Sequence, residues 1–105
     1  MTWEQWMESE LGYKCKTTFW SDFSIADLFG IENVKETFKK AFEEWKTNYE
    51  FLTELVIVLN HKISFHYKRN NELSKTYDEL WRQADNYALE NLKGKELEYF
   101  LETTD

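Results

Sequence analysis

The stretch Phe51-Leu52-Thr53-Glu54-Leu55-Val56-Ile57-Val58-Leu59-Asn60-His61-Lys62-Ile63-Ser64-Phe65-His66-Tyr67-Lys68-Arg69 decides the fold. At 100° per residue, Leu52, Leu55, Val56, Leu59, Ile63 and Tyr67 share one stripe of a helix. Phe51, Val58 and Phe65 widen that stripe beyond half the circumference. A helix apolar over so wide an arc has to be covered on two sides, so this segment is expected at the centre of the molecule. Its longest uninterrupted apolar run, Leu55 to Leu59, is far shorter than a bilayer requires, and no membrane association is expected.

On either side lie two more segments of helical period. From Glu32 to Tyr49, the residues Val34, Phe38, Ala41, Phe42, Trp45 and Tyr49 occupy about a third of the wheel. The opposite face carries Glu36–Lys40, Glu32–Lys35 and Glu43–Lys46, with Glu before Lys in each, the favourable order for a solvated helix. Thr47-Asn48 is a natural break, with Asn48 as the cap of the central helix; a continuous or kinked helix is the alternative. After Asn70-Asn71, a third helix from Glu72 to Lys93 places Leu73, Tyr77, Leu80, Trp81, Ala84, Tyr87 and Ala88 on one face, with Gly94 as its C′ residue. A short last helix is expected over Lys95 to Leu101. Leu55, Leu59, Ile63, Phe42, Trp45, Leu80 and Trp81 are the expected best-buried residues.

The first thirty residues are less regular. Thr2-x-x-Gln5 has the form of a capping box ahead of Trp3, Trp6, Met7 and Leu11, and Ser24-x-x-Asp27 that of a cap on a short helix ending at Gly30. Tyr13 to Thr18 alternates loosely, as extended chain does. Short connections favour antiparallel neighbours. The expected architecture is all-α: a small helical bundle with three main antiparallel helices plus short N- and C-terminal helices. Residues 1–105 are read as a single helical domain, with 1–30 an aromatic-rich N-terminal segment and 31–105 the helical core.

Composition agrees. There is no Pro and only three Gly in 105 residues, fewer turn formers than sheet proteins use. Aromatics reach 18%, which lets a short chain bury much apolar area. Cys15 is alone, so no internal disulfide forms. Met1 to Glu10 has three Glu and no basic residue, unlike a signal peptide, so a cytoplasmic location is expected. The formal net charge of −7 opposes direct nucleic-acid binding on electrostatic grounds.

Three stretches, Thr18-Phe19-Trp20-Ser21-Asp22-Phe23-Ser24-Ile25-Ala26-Asp27, Leu52-Thr53-Glu54-Leu55-Val56 with Asn60-His61-Lys62, and Asn91-Leu92-Lys93-Gly94, resemble a family of small all-helical proteins of gut bacteria associated with phage-derived or conjugative mobile elements. The resemblance extends over nearly the whole chain. It implies an accessory role in a mobile element and supplies no catalytic residues.

The chain carries no motif of known chemistry. His61 and His66 are five apart, about 140° around a helix, and neither follows a Glu by three, so zinc-protease and di-iron patterns are both missing. Three isolated glycines build no phosphate loop. Cys15 lies between Lys14 and Lys16, which favours a thiolate, but no His or orienting group stands near it in sequence. No catalytic residue, metal or cofactor is expected. Glu54, His61 and Lys68 recur every seven residues and are weak candidates for a polar groove; their spacing of about 10 Å along the axis is too long for a proton relay. His66 falls inside the apolar arc and is expected to bond a backbone group or a carboxylate. Lys62 and Arg69 flank it as a small basic patch.

The leading functional expectation is a non-enzymatic protein-interaction or regulatory protein with an unknown protein partner, with homo-oligomerisation possible. The alternative is a mobile-element defence antagonist, an antirestriction or anti-CRISPR-like nucleic-acid mimic. Lysines interleaved with the acids from Glu32 to Lys46 argue against one continuous acidic surface. Trp3, Trp6 and Met7 are the candidate partner contact, because short N-terminal segments cannot bury such side chains alone.

Overall fold

The structure, a computed structural model, describes residues 19–104. These form a small all-α bundle of five helices: α1 (Ser21–Phe29), α2 (Ile31–Trp45), α3 (Tyr49–His66), α4 (Asn71–Asn91) and α5 (Lys95–Thr104). The three long antiparallel helices are α2, α3 and α4. Trp3, Trp6, Met7 and Cys15 lie outside the described residues.

α3 is the axis of the bundle. From Leu52 to Leu59 every side chain is buried, over more than two turns, so the helix is covered all round rather than on one stripe. Its largest packing partner is α4, and α5 and α2 cover other sides. Asn48 caps it as the sequence predicts, its Oδ1 accepting from the amides of Glu50 and Phe51 at 3.0 and 3.2 Å. The Asn70 side chain does the same for α4 through the Leu73 amide at 3.2 Å.

Aromatic rings join the helices. Phe42 of α2 meets Tyr87 of α4 edge-on at 5.1 Å, and Tyr49 of α3 meets Tyr99 of α5 at 5.4 Å. Phe19 and Trp20, which lead into α1, pack edge-on against Phe51 and Phe65 of α3 at 6.3 and 6.1 Å. The spare apolar width of α3 is thus partly covered by residues adjoining α1.

Four expectations need correction. α1 begins at Ser21, so Ser24 and Asp27 sit inside the helix and not at its cap; their side chains reach across to α3 instead. Of the expected best-buried residues, Leu55, Leu59 and Leu80 are buried, but Ile63, Phe42, Trp45 and Trp81 are half-buried. Rings at the bundle margin keep an edge in solvent, while Phe23, Val34, Leu52, Tyr77 and Phe100 fill the interior. Gly94 is not the C′ residue of α4: the helix leaves helical geometry at Leu92 (φ −82°, ψ 141°), whose side chain turns into the core. Gly94, at φ +62°, opens α5 instead, its carbonyl accepting from the Glu98 amide at 3.1 Å. Lys62 is not part of a surface patch, as its buried contacts show below.

Candidate functional site

The inner side of α1 sets two polar residues, Ser24 and Asp27, beside the buried Phe23 and Ala26. A single residue, Gly30 at φ +109° and ψ −178°, joins it to α2. That φ is open to glycine and strained for other residues, and it lets two helices meet at a sharp corner. The corner swings the inner side of α1 over the C-terminal half of α3. There Lys62 and His66, four apart and one above the other, project from the apolar arc.

The result is a buried polar cluster built from three helices. Lys62 Nζ donates to Asp27 Oδ2 at 2.9 Å and to Ser24 Oγ at 2.8 Å. It also lies over the Trp20 ring, 4.2 Å from the centroid. An ammonium has three donors; two are bonded here and its remaining side is against an aromatic face, so the charge is accommodated at 1% exposure. His66 Nε2 lies 2.9 Å from the same Asp27 Oδ2. A carboxylate only accepts, so Nε2 carries the proton. From α4, the Tyr77 hydroxyl donates to Asp27 Oδ1. The His66 and Tyr77 rings stack in parallel at 5.7 Å, and Phe23 meets Tyr77 edge-on at the same distance.

Burial, and next to it the hydrogen bond and negative charge of Asp27, push the Tyr77 phenol well above its ordinary range and keep it a donor. Three donors from two helices converge on one carboxylate. That is the geometry of a fastening: α1 is held to α3 and α4 through a charge that is paired and hydrogen-bonded, as a buried charge must be.

Fastened on this side, α1 shows apolar residues on the other. Ile25, Leu28 and Phe29 are 57%, 83% and 70% exposed. Beside them, between α1 and α2, runs an open groove of about 510 Å3, floored by Phe19, Ala26, Ala41 and Trp45 and edged by Asp22, Lys40 and Glu44.

The polar-groove candidates stand at three depths. Glu54 is wholly buried, His61 half-buried and Lys68 exposed. Glu54 lies within the field of Tyr99, whose phenol is pushed up to about 12, first by burial and then by Glu54 and Glu50. Arg69 covers the Phe65 ring, 4.5 Å from its centroid. His66 bonds a carboxylate, as expected of a histidine on the apolar arc. Sequence reasoning missed Asp27, Ser24 and Tyr77. The available signal was Lys62 and His66 four apart on an apolar arc, a pairing that calls for an acid from another helix. No group of three or more His, Cys, Asp or Glu among the described residues is arranged to hold a metal ion, and no described helix is long and apolar enough to cross a membrane. Compared with protein-family models, curated proteins and solved structures, the chain matches none.

Proposed function

We propose that the protein is a non-enzymatic interaction protein whose contact surface is the outward side of α1. The observation that carries this reading is the two-sidedness of that helix. Its inner side is fixed by Asp27, and its outer side leaves Ile25, Leu28 and Phe29 mostly in solvent. A lone exposed apolar residue is ordinary; three large ones adjoining a groove form a patch of the kind that marks contact sites. The resemblance to small proteins of mobile elements supports an accessory role of this sort.

The test is photo-crosslinking in the native host, with a photoreactive residue at Leu28 in one variant and at exposed Glu90 of α4 in another. The expected outcome is a defined adduct from position 28, lost when Ile25 and Phe29 are both replaced by Asp, with no matching adduct from position 90. Equal labelling from both positions, or none from position 28, would remove α1 as the contact surface.

A further inference from the structure

We infer that Gly30 is a hinge at which two copies of this chain exchange α1, each α1 closing on Lys62 and His66 of the partner subunit. The inference concerns the inner side of α1 and stands apart from what its outward side contacts.

Three observations carry it. The first is the backbone at the corner. Gly30 alone joins α1 to α2; its amide donates to Ala26 at 3.1 Å and its carbonyl accepts from Val34 at 3.2 Å. Between those two helical bonds lies a gap. The carbonyls of Asp27, Leu28 and Phe29 accept from no described group, and the amides of Ile31, Glu32 and Asn33 donate to none. In a continuous helix each amide bonds the carbonyl four residues back, so these donors and acceptors are each other's partners. Turning Gly30 from φ +109° into the helical region would pair all of them and make one helix from Ser21 to Trp45. That helix would be about 37 Å long. The span holds no Pro, and Gly30 is its one glycine.

The second is phase. At 100° per residue, Phe23, Ser24 and Asp27 fall in the same arc, about 100° wide, as Val34 and Phe38. The inner side of α1 and the buried side of α2 would thus become one stripe of the straight helix.

The third is position. Gly30, Ile31 and Glu32 lie beside Asn70, Glu72 and Leu73, where α3 gives way to α4, so the corner is at an end of the bundle. Straightened there, α1 would reach about 14 Å past that end. Phe23 would be bare, and Lys62 would lose both Asp27 and Ser24. An isolated chain does not sustain this, because a buried charge needs its partner. A second copy opened in the same way offers the same bare site. Each α1 then regains its contacts on the other copy, Asp27 with Lys62 and His66 and Phe23 with Tyr77. The exchanged dimer keeps the clasp and adds the backbone bonds that the corner leaves unmade. Short hinges under strain favour such an exchange.

The experiment uses the full chain and sedimentation equilibrium. Gly30→Ala strains the corner of the monomer and favours the straight helix of the dimer. Two hinges change at once, so dimerisation is expected to strengthen at least about tenfold. A Gly-Gly insertion after Gly30 relaxes the corner and should leave the chain monomeric. Exchange is told from surface contact by unfolding and refolding isotope-labelled chains together with unlabelled ones. The filtered spectrum of the dimer should then show contacts between the Phe23 ring of one copy and the Tyr77 ring of the other.

A Gly30→Ala chain that stays monomeric at millimolar concentration would overturn the inference. So would a dimer whose contacts between chains are confined to Leu28 and Phe29, since that joins two closed monomers by the outward side of α1. Should Gly30→Ala fail to fold, the unsubstituted chain refolded from urea at millimolar concentration decides. A dimer with the Phe23–Tyr77 contact between chains supports the exchange, and monomer alone overturns it.

Discussion

Asp27 of α1 and Lys62 of α3, 35 residues apart in the chain, meet at 2.9 Å with side chains only 11% and 2% exposed. Removing Lys62 takes one of three donors from Asp27 and leaves the carboxylate to His66 and Tyr77. Lys62→Met should cost about 1.5–3 kcal/mol in urea denaturation, the range of a hydrogen bond between charged groups. Once Asp27 is Asn that charged pair is already lost, so adding Lys62→Met should cost much less. A coupling energy of about 1–3 kcal/mol is expected for the cycle. Additive single effects would mean that the two groups do not act together.

Alkaline conditions probe the same cluster from α4. The unfolded chain releases the Tyr77 proton near pH 10, whereas the folded chain holds it to far higher pH because the phenol is buried beside Asp27. Its contribution is therefore complete below pH 10 and is lost progressively as pH rises above it, since the unfolded state then binds fewer protons. Tyr99, raised to about 12, adds to this between pH 10 and 12. Melting temperature should fall from pH 9 to 11, and the fall should be shallower in Tyr77→Phe. An equally steep fall in that variant would show that the Tyr77 phenol titrates as though exposed.

Depth of burial separates two neighbours on α3. Leu59 is wholly buried and Ile63 only half so. Leu59→Ala should cost roughly 2–5 kcal/mol, and Ile63→Ala clearly less. The reverse order would misplace the axis of the bundle.

Gly30 sets the corner between α1 and α2 at φ +109°, and a Cβ there would meet nothing within 4 Å. Any penalty for Gly30→Ala therefore comes from the backbone alone. About 1–3 kcal/mol is expected, measured by chemical denaturation. A neutral or stabilising result would mean that the corner is not held at positive φ.

The helices were legible because their apolar spacing repeats locally. The width of the arc on α3 predicted its central place, and Asn48 and Asn70-Asn71 marked the breaks on each side of it. Local spacing does not say which helix supplies a partner from far along the chain. Lys62 looked like part of a surface patch because Asp27 is 35 residues away and reaches it only through the corner at Gly30. Ser24-x-x-Asp27 reads as a cap in the sequence, because Ser-x-x-Asp has the same form inside a helix as before one. Phe42 and Trp45 fall on the core stripe, yet periodicity gives the direction of a side chain and not how much covers it. For the same reason the spacing does not tell that Ile25, Leu28 and Phe29 stay outside the core.

Nitrogen-detected NMR of the Lys62 ammonium tests the fastening most directly. An exposed lysine such as Lys68 exchanges its Nζ protons with water too fast to give a sharp signal at neutral pH. Lys62, bonded to Asp27 and Ser24 and lying over Trp20, should give a slowly exchanging ammonium resonance, with contacts to the Trp20 ring and side-chain protons shifted by it. That signal should vanish in Asp27→Asn. A Lys62 ammonium that exchanges as fast as that of Lys68 would contradict the buried clasp and the orientation of α1 that depends on it.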